Sequence, residues 1–155
     1  MVPFEYFRYE VAKDPDKVVE EIQRAIARHD LIEHTVINHR RDMARHLIPN
    51  PPWAYSVIFA NPRAGATFLS VAMTVVTEMP ARLGIYGDFG HTSIIYHTMS
   101  SLLARHHSDL RYAGETIDAL VDEMCTEIGA ELISRELWSD HLESMASGRG
   151  RIPIG

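Results

Sequence analysis

The stretch from Trp53 to Pro80 constrains the fold of this chain more than any other. An apolar run, Tyr55-Ser-Val-Ile-Phe-Ala60, leads straight into Asn61-Pro62-Arg63-Ala64-Gly65. Asn61 suits a helix N-cap and Pro62 the first helical position, so a buried strand turns directly into a helix. That helix is predicted from Pro62 to Met79, with Pro80 as its stop. From Ala64 to Thr77 it carries no charge. Phe68, Leu69, Val71, Ala72, Met73, Val75 and Val76 lie nearly all round it. A helix resting on one sheet needs a single apolar stripe. The surplus must be covered by a twofold copy of the chain, by a later helix or by a ligand.

The flanking segments complete an α+β pattern. Phe4 to Ala12 alternates, with Phe7, Tyr9 and Val11 on one side and Arg8 and Glu10 on the other, as in a half-buried strand. Asp14-Pro15 opens a helix whose apolar stripe is Val18, Ile22, Ala25, Ile26 and His29. Leu31 to His39 reads as a second strand. Arg40 to Pro52 reads as a short helix or irregular crossover ending at Pro51-Pro52. Trp53 to Ala60 is the third strand, apolar on both faces and central. Ala81 to Tyr86 and Thr92 to Thr98 form a hairpin about Gly87-Asp-Phe-Gly90. Met99 to Arg111 is a connection with one helical turn. Glu115 to Trp138 is predicted as one long helix with the stripe Ile117, Leu120, Val121, Met124, Ile128 and Leu132. The tail, 144–155, reads as loose. The order β-α-β-β-α-β-β-α predicts one domain over 1–155, a two-layer α+β sandwich. Its sheet is mostly antiparallel, of about five strands, with two or three helices.

Several of these segments together resemble a known family. Ile37-Asn38-His39, Ile58-Phe59-Ala60-Asn61-Pro62, Gly65-Ala66-Thr67, Met79-Pro80, Leu83-Gly-Ile-Tyr86, Ile94-Ile95-Tyr96 and Leu103-Ala-Arg-His106 fall in order along the chain. This is similar to the domain of unknown function 302 family, closely over 35–107 and loosely outside it. The resemblance implies a small α+β fold and a dimer. It brings no activity and no catalytic residues.

Composition narrows the function classes. A net charge of −6 disfavours nucleic acid and anionic membranes as partners, since both call for a basic face. The single cysteine, Cys125, leaves no internal disulfide and fits a reducing compartment. With no basic-then-apolar leader and no apolar run long enough to span a bilayer, a cytoplasmic protein is expected.

Residues with chemistry to offer are few. The helix start at Asn61, with Arg63 and Gly65, would attract an anion. Nine histidines are present, and three of them, His39, His97 and His106, fall at or near strand ends where an imidazole cluster could hold a transition metal or haem, with Met99 as a further ligand. None of the close zinc spacings occurs. Cys125 falls on an apolar helix stripe as a small buried hydrophobe, and no nucleophile elbow is present. Glu123, Glu127 and Glu131 read as a solvated helix ridge beside Asp118 and Asp122.

The expected function is therefore a non-catalytic, homodimeric module that binds or senses a small molecule or anion. Its ligand-binding residues would be His39, Asn61, Arg63, Gly65 and Tyr96, in a pocket between the sheet and the charge-free helix. The alternative is a metal- or haem-bearing redox protein using His39, His97 and His106. A third reading is a small hydrolase or isomerase with His39 as general base.

Overall fold

Alternation along the strands and apolar stripes along two helices build a single buried layer. The computed structural model describes residues 5–137, so the predicted loose tail lies outside the described residues. The strands are β1 (Glu5–Val11), β2 (Ile32–Asn38), β3 (Trp53–Ala60), β4 (Ala81–Asp88), β5 (His91–His97) and β6 (Glu131–Leu137). They form one six-stranded sheet in the order β2-β3-β4-β5-β1-β6. Every neighbouring pair is antiparallel. The helices are α1 (Pro15–Arg28), α2 (His39–Arg45), α3 (Pro62–Val71), α4 (Met99–Ala104) and α5 (Leu110–Glu127), with a 3-10 helix at Met73–Glu78.

One face of the sheet is buried. Phe7, Tyr9 and Val11 of β1 meet Tyr55, Val57 and Phe59 of β3, Leu83 and Ile85 of β4, and Ile94 and Tyr96 of β5 in one core. Val18, Ile22, Ala25 and Ile26 of α1 close over it, together with Ile117, Val121, Met124 and Cys125 of α5. Val18, Ile22, Ala25 and Ile26 of the predicted stripe are buried, as is Cys125, whereas His29 lies past the helix end as its C-cap. Asp14 is the N-cap residue of α1, but its carboxylate makes no capping bond. It accepts instead from the Gly90 amide, while Thr92 Oγ1 donates to the Lys13 carbonyl at 2.7 Å, and so the β4–β5 hairpin is tied to the start of α1.

Two helical expectations need correction. The long helix predicted from Glu115 to Trp138 begins at Leu110 and ends at Glu127, and the strand β6 follows, making six strands rather than five. The stop is a Schellman turn: the Ala130 amide donates to the Cys125 carbonyl, and Gly129, at φ 83°, donates to Thr126. Leu132, placed on the helix stripe, pairs with Tyr9 in the sheet. The charge-free segment is also not one helix. It breaks at Ala72, which is extended at φ −149° and ψ 112°, and continues as the 3-10 helix. Val71, Thr74, Val75, Val76 and Thr77 are all β-branched, and such side chains lose rotamer freedom in an α-helix.

The expectation that another body lies against this segment meets a bare flank within the single chain. Gly65, Phe68 and Val75 are buried. Val71, Met73 and Val76 are exposed at 45%, 70% and 60%.

Candidate functional site

The second face of the sheet carries the residues that alternate with the core set. Across it runs one register row: Ile37 opposite Ser56, Ser56 opposite Gly84, Gly84 opposite Ile95, and Ile95 opposite Arg8. Two residues along in each direction on β4, Arg82 pairs with Ile58, and Tyr86 pairs with Ala54 and Ser93. Side chains on one face of a strand recur every second residue, so Arg82, Gly84 and Tyr86 share this face.

Gly84 makes a notch in it. A Cβ built there would meet nothing closer than the Ile95 carbonyl at 3.8 Å and Ile95 Cβ at 4.0 Å. Its neighbours on this face are Ser56 and Ile95 on the adjacent strands and Arg82 and Tyr86 along β4. His39, at the start of α2, reaches back so that its Nε2 lies 2.8 Å from Ser56 Oγ. Asn38 makes that return possible by capping α2: its Oδ1 accepts from the Arg41 amide at 3.0 Å.

On the far side of Ile95 the charges are already matched. Glu10 accepts from Arg8 Nε at 3.0 Å, from Ser93 Oγ at 2.9 Å, and lies 2.6 Å from His91 Nε2. Arg82, in contrast, has no hydrogen-bond or ion-pair partner among the described residues.

The other predicted site residues are dispersed. Asn61 caps α3, its Oδ1 accepting from Ala64 N at 3.3 Å, and Arg63 beside it is exposed. Gly65 is buried against the tip of Met79, where a Cβ would come within 2.8 Å of Cε. Tyr96 belongs to the core face and not to the notch. His97 lies on the notch face next to Tyr6, ring centroids 6.2 Å apart. His106 sits between Thr74 Oγ1 at 2.8 Å and Glu78 Oε1 at 3.2 Å, joining α4 to the 3-10 helix. His39, His97 and His106 thus keep separate partners, and the structure does not bring the three together as metal ligands. Met99 is buried in the core.

Sequence reasoning missed Arg82, Gly84 and Ser56. The signal was there: Arg82-Leu-Gly-Ile-Tyr86 alternates, which sets a small residue between a cation and a phenol. It also missed Asp118, placed among solvated acids but 6% exposed. Asp118 Oδ1 accepts from Tyr96 Oη at 2.6 Å and from the Met99 amide at 2.8 Å, and Oδ2 accepts from Ser100 Oγ. Burial raises its pKa, and the hydrogen bonds from Ser100, Tyr96 and Met99 oppose that rise. Burial likewise pushes the Tyr96 phenol well above its ordinary value, with the Asp118 charge adding to the effect. The clue was an acid inside an apolar stripe, between Ile117 and Val121.

No helix among the described residues is long and apolar enough to cross a membrane. No curated protein matches the chain. Its fold is similar to that in a crystal structure of an uncharacterized conserved DUF302 protein from Bacillus stearothermophilus, with a TM-score of 0.70 and 13% identity, covering 77% of this chain and 94% of that one. At that identity the likeness speaks for the fold alone. The family model described as domain of unknown function DUF302 matches residues 7–127. That match takes in β1 through α5, the notch included, and the chain therefore belongs to the DUF302 family.

Proposed function

We propose that this chain is a non-catalytic binding module that seats a small carboxylate with an apolar body over Gly84. The observation that carries the reading is the pairing of the space a side chain would take at Gly84 with the guanidinium of Arg82, two residues away on the same face and without a partner among the described residues. A guanidinium recognises a carboxylate through two parallel hydrogen bonds. Ile95 and Ile58 offer the apolar contact, Tyr86 a ring, and the His39–Ser56 pair a second polar wall.

Benzoate is a suitable probe. Titrated into labelled protein, it is expected to shift the amide resonances of Ser56, Gly84 and Ile95, with Arg82→Ala weakening binding about tenfold, the ~1.4 kcal/mol of one charge-assisted contact. Gly84→Phe fills the notch and should abolish the shifts while leaving the fold intact. Shifts confined to other residues, or equal in both variants, would refute the proposal.

The module is also proposed to work as a twofold homodimer joined through Val71, Met73 and Val76. The support is a run from Ala64 to Thr77 without charge, with these three side chains exposed. A twofold axis brings a patch against its own copy, and an uncharged patch meets no like-charge repulsion there. Met73→Glu and Val76→Glu are expected to shift the native mass from dimer to monomer while the monomer stays folded, since both side chains are solvent-exposed in the single chain. A native mass unchanged in both variants would remove this patch as the contact.

A further inference from the structure

The end of α1 and the last turns of α5 carry a second cluster with different chemistry. His29 is the C-cap residue of α1, its backbone held by a bond to the Ala25 carbonyl at 3.0 Å. Glu123 and Glu127 are one helical turn apart on α5 and so lie on the same face. One ligand atom from each of His29, Glu123 and Glu127 falls within 4.8 Å of the others, the one such grouping of metal-ligating side chains among the described residues.

Lys13 and Arg24 lie near Glu127 but pair with Glu21 and Glu20. Arg28 Nη2 donates to Glu127 Oε2 at 3.0 Å, and His29 Nε2 lies 2.7 Å from Glu127 Oε1. Glu123 has no hydrogen-bond or ion-pair partner among the described residues. Two carboxylates at this spacing repel each other, and one cation, Arg28, is engaged with only one of them. His29 is 16% exposed, so its ring is held in place rather than swinging in solvent.

We propose that His29, Glu123 and Glu127 form a binding site for a divalent transition metal, zinc by preference. One imidazole nitrogen and two carboxylates, with water in the fourth position, match the three-protein-ligand pattern of open zinc sites. The imidazole argues against magnesium and calcium, which take oxygen ligands. The geometry needs little adjustment. At metal–ligand bonds of about 2.0 Å, tetrahedral ligands stand roughly 3.3 Å apart. The contact from His29 Nε2 to Glu127 Oε1 would therefore open by a few tenths of an ångström, and Glu123 would swing in from solvent. Arg28 would stay on Glu127 Oε2, where it orients the ligating carboxylate as an outer-shell partner. The bound ion would clamp the end of α1 to α5. The site is separate from the Gly84 notch, so either reading can fail without the other.

Calorimetric titration with zinc chloride tests this on the full chain, with visible absorption of a cobalt(II) adduct as a second readout. The expected result is one zinc per chain, a melting temperature raised by zinc and not by magnesium, and a cobalt spectrum of tetrahedral type. Glu123→Gln is expected to weaken zinc at least about tenfold and to remove the thermal shift. Because Glu123 is exposed and has no partner among the described residues, this variant keeps the fold even if His29→Ala does not. Absence of zinc binding overturns the proposal, as does binding that Glu123→Gln leaves unchanged.

Discussion

Replacing Asp118 by Ala is expected to cost about 3 kcal/mol of folding stability, close to 10 °C in melting temperature for a domain of this size. The substitution strands three donors that all point at one buried carboxylate: Tyr96 Oη, the Met99 amide and Ser100 Oγ. Each unmade bond at a buried donor costs roughly 1–3 kcal/mol, and removing the carboxylate's own desolvation returns part of that. The links are structural as well as energetic. They join β5, the start of α4 and the middle of α5, so the loss is felt across three elements.

A double-mutant cycle with Tyr96→Phe separates the network from simple cavity formation. The two changes should be clearly less than additive, because the phenol has no carboxylate left to bond in the second background. The pH dependence carries a sign as well. Burial sets the folded pKa of Asp118 above its unfolded value. The resulting contribution is complete below the ordinary carboxylate pKa and fades as pH rises through the folded value. The gap between wild type and Asp118→Ala should therefore narrow as pH rises through that window. Urea denaturation across the range measures both, and full additivity with Tyr96→Phe would dispose of the network account.

The second large effect is expected at Gly114. Here α5 crosses α4 at backbone distance: a Cβ on Gly114 would lie 2.6 Å from both Ser100 Cα and Ser100 N, and 2.8 Å from Met99 C. No side chain can rotate out of the way, so α4 itself must move. Overpacking of this kind costs roughly 1–3 kcal/mol, and a shift of α4 also pulls the Met99 amide and Ser100 hydroxyl off Asp118. Against this, alanine gains about 1 kcal/mol over glycine in a helix interior. The clash is with main-chain atoms and should win, leaving Gly114→Ala about 2 kcal/mol less stable in urea unfolding. A variant at or above wild-type stability would mean that helix propensity outweighs the contact and that α4 yields freely.

These two residues mark where sequence reading ran short. Asp118 is an acid at a helical spacing shared with solvated neighbours, and only the donors brought from β5 and α4 decide that it is buried. Gly114 falls just before the predicted helix start at Glu115, and its role shows only once its neighbour across the crossing is known. The same holds for the notch. The alternation about Gly84 was legible, but which face helices cover was not. Of the predicted ligand residues, His39 reaches the notch wall, because the Asn38 cap turns α2 back toward β3. Asn61 and Gly65 serve the start and packing of α3. Glu131 left the predicted helical ridge because the Gly129 turn ends the helix before it.

What the sequence determined by itself was local: strands of period two, the α1 stripe, the β4–β5 hairpin and the turn from β3 through Asn61-Pro62 into α3. These follow from backbone preference and side-chain spacing, which act over a few residues. The tertiary structure alone decided that β1 lies between β5 and β6, and that His29 meets the Glu127 carboxylate nearly a hundred residues further along. Periodicity tells which residues share a face. Which surface covers that face is settled only when distant segments compete to bury it.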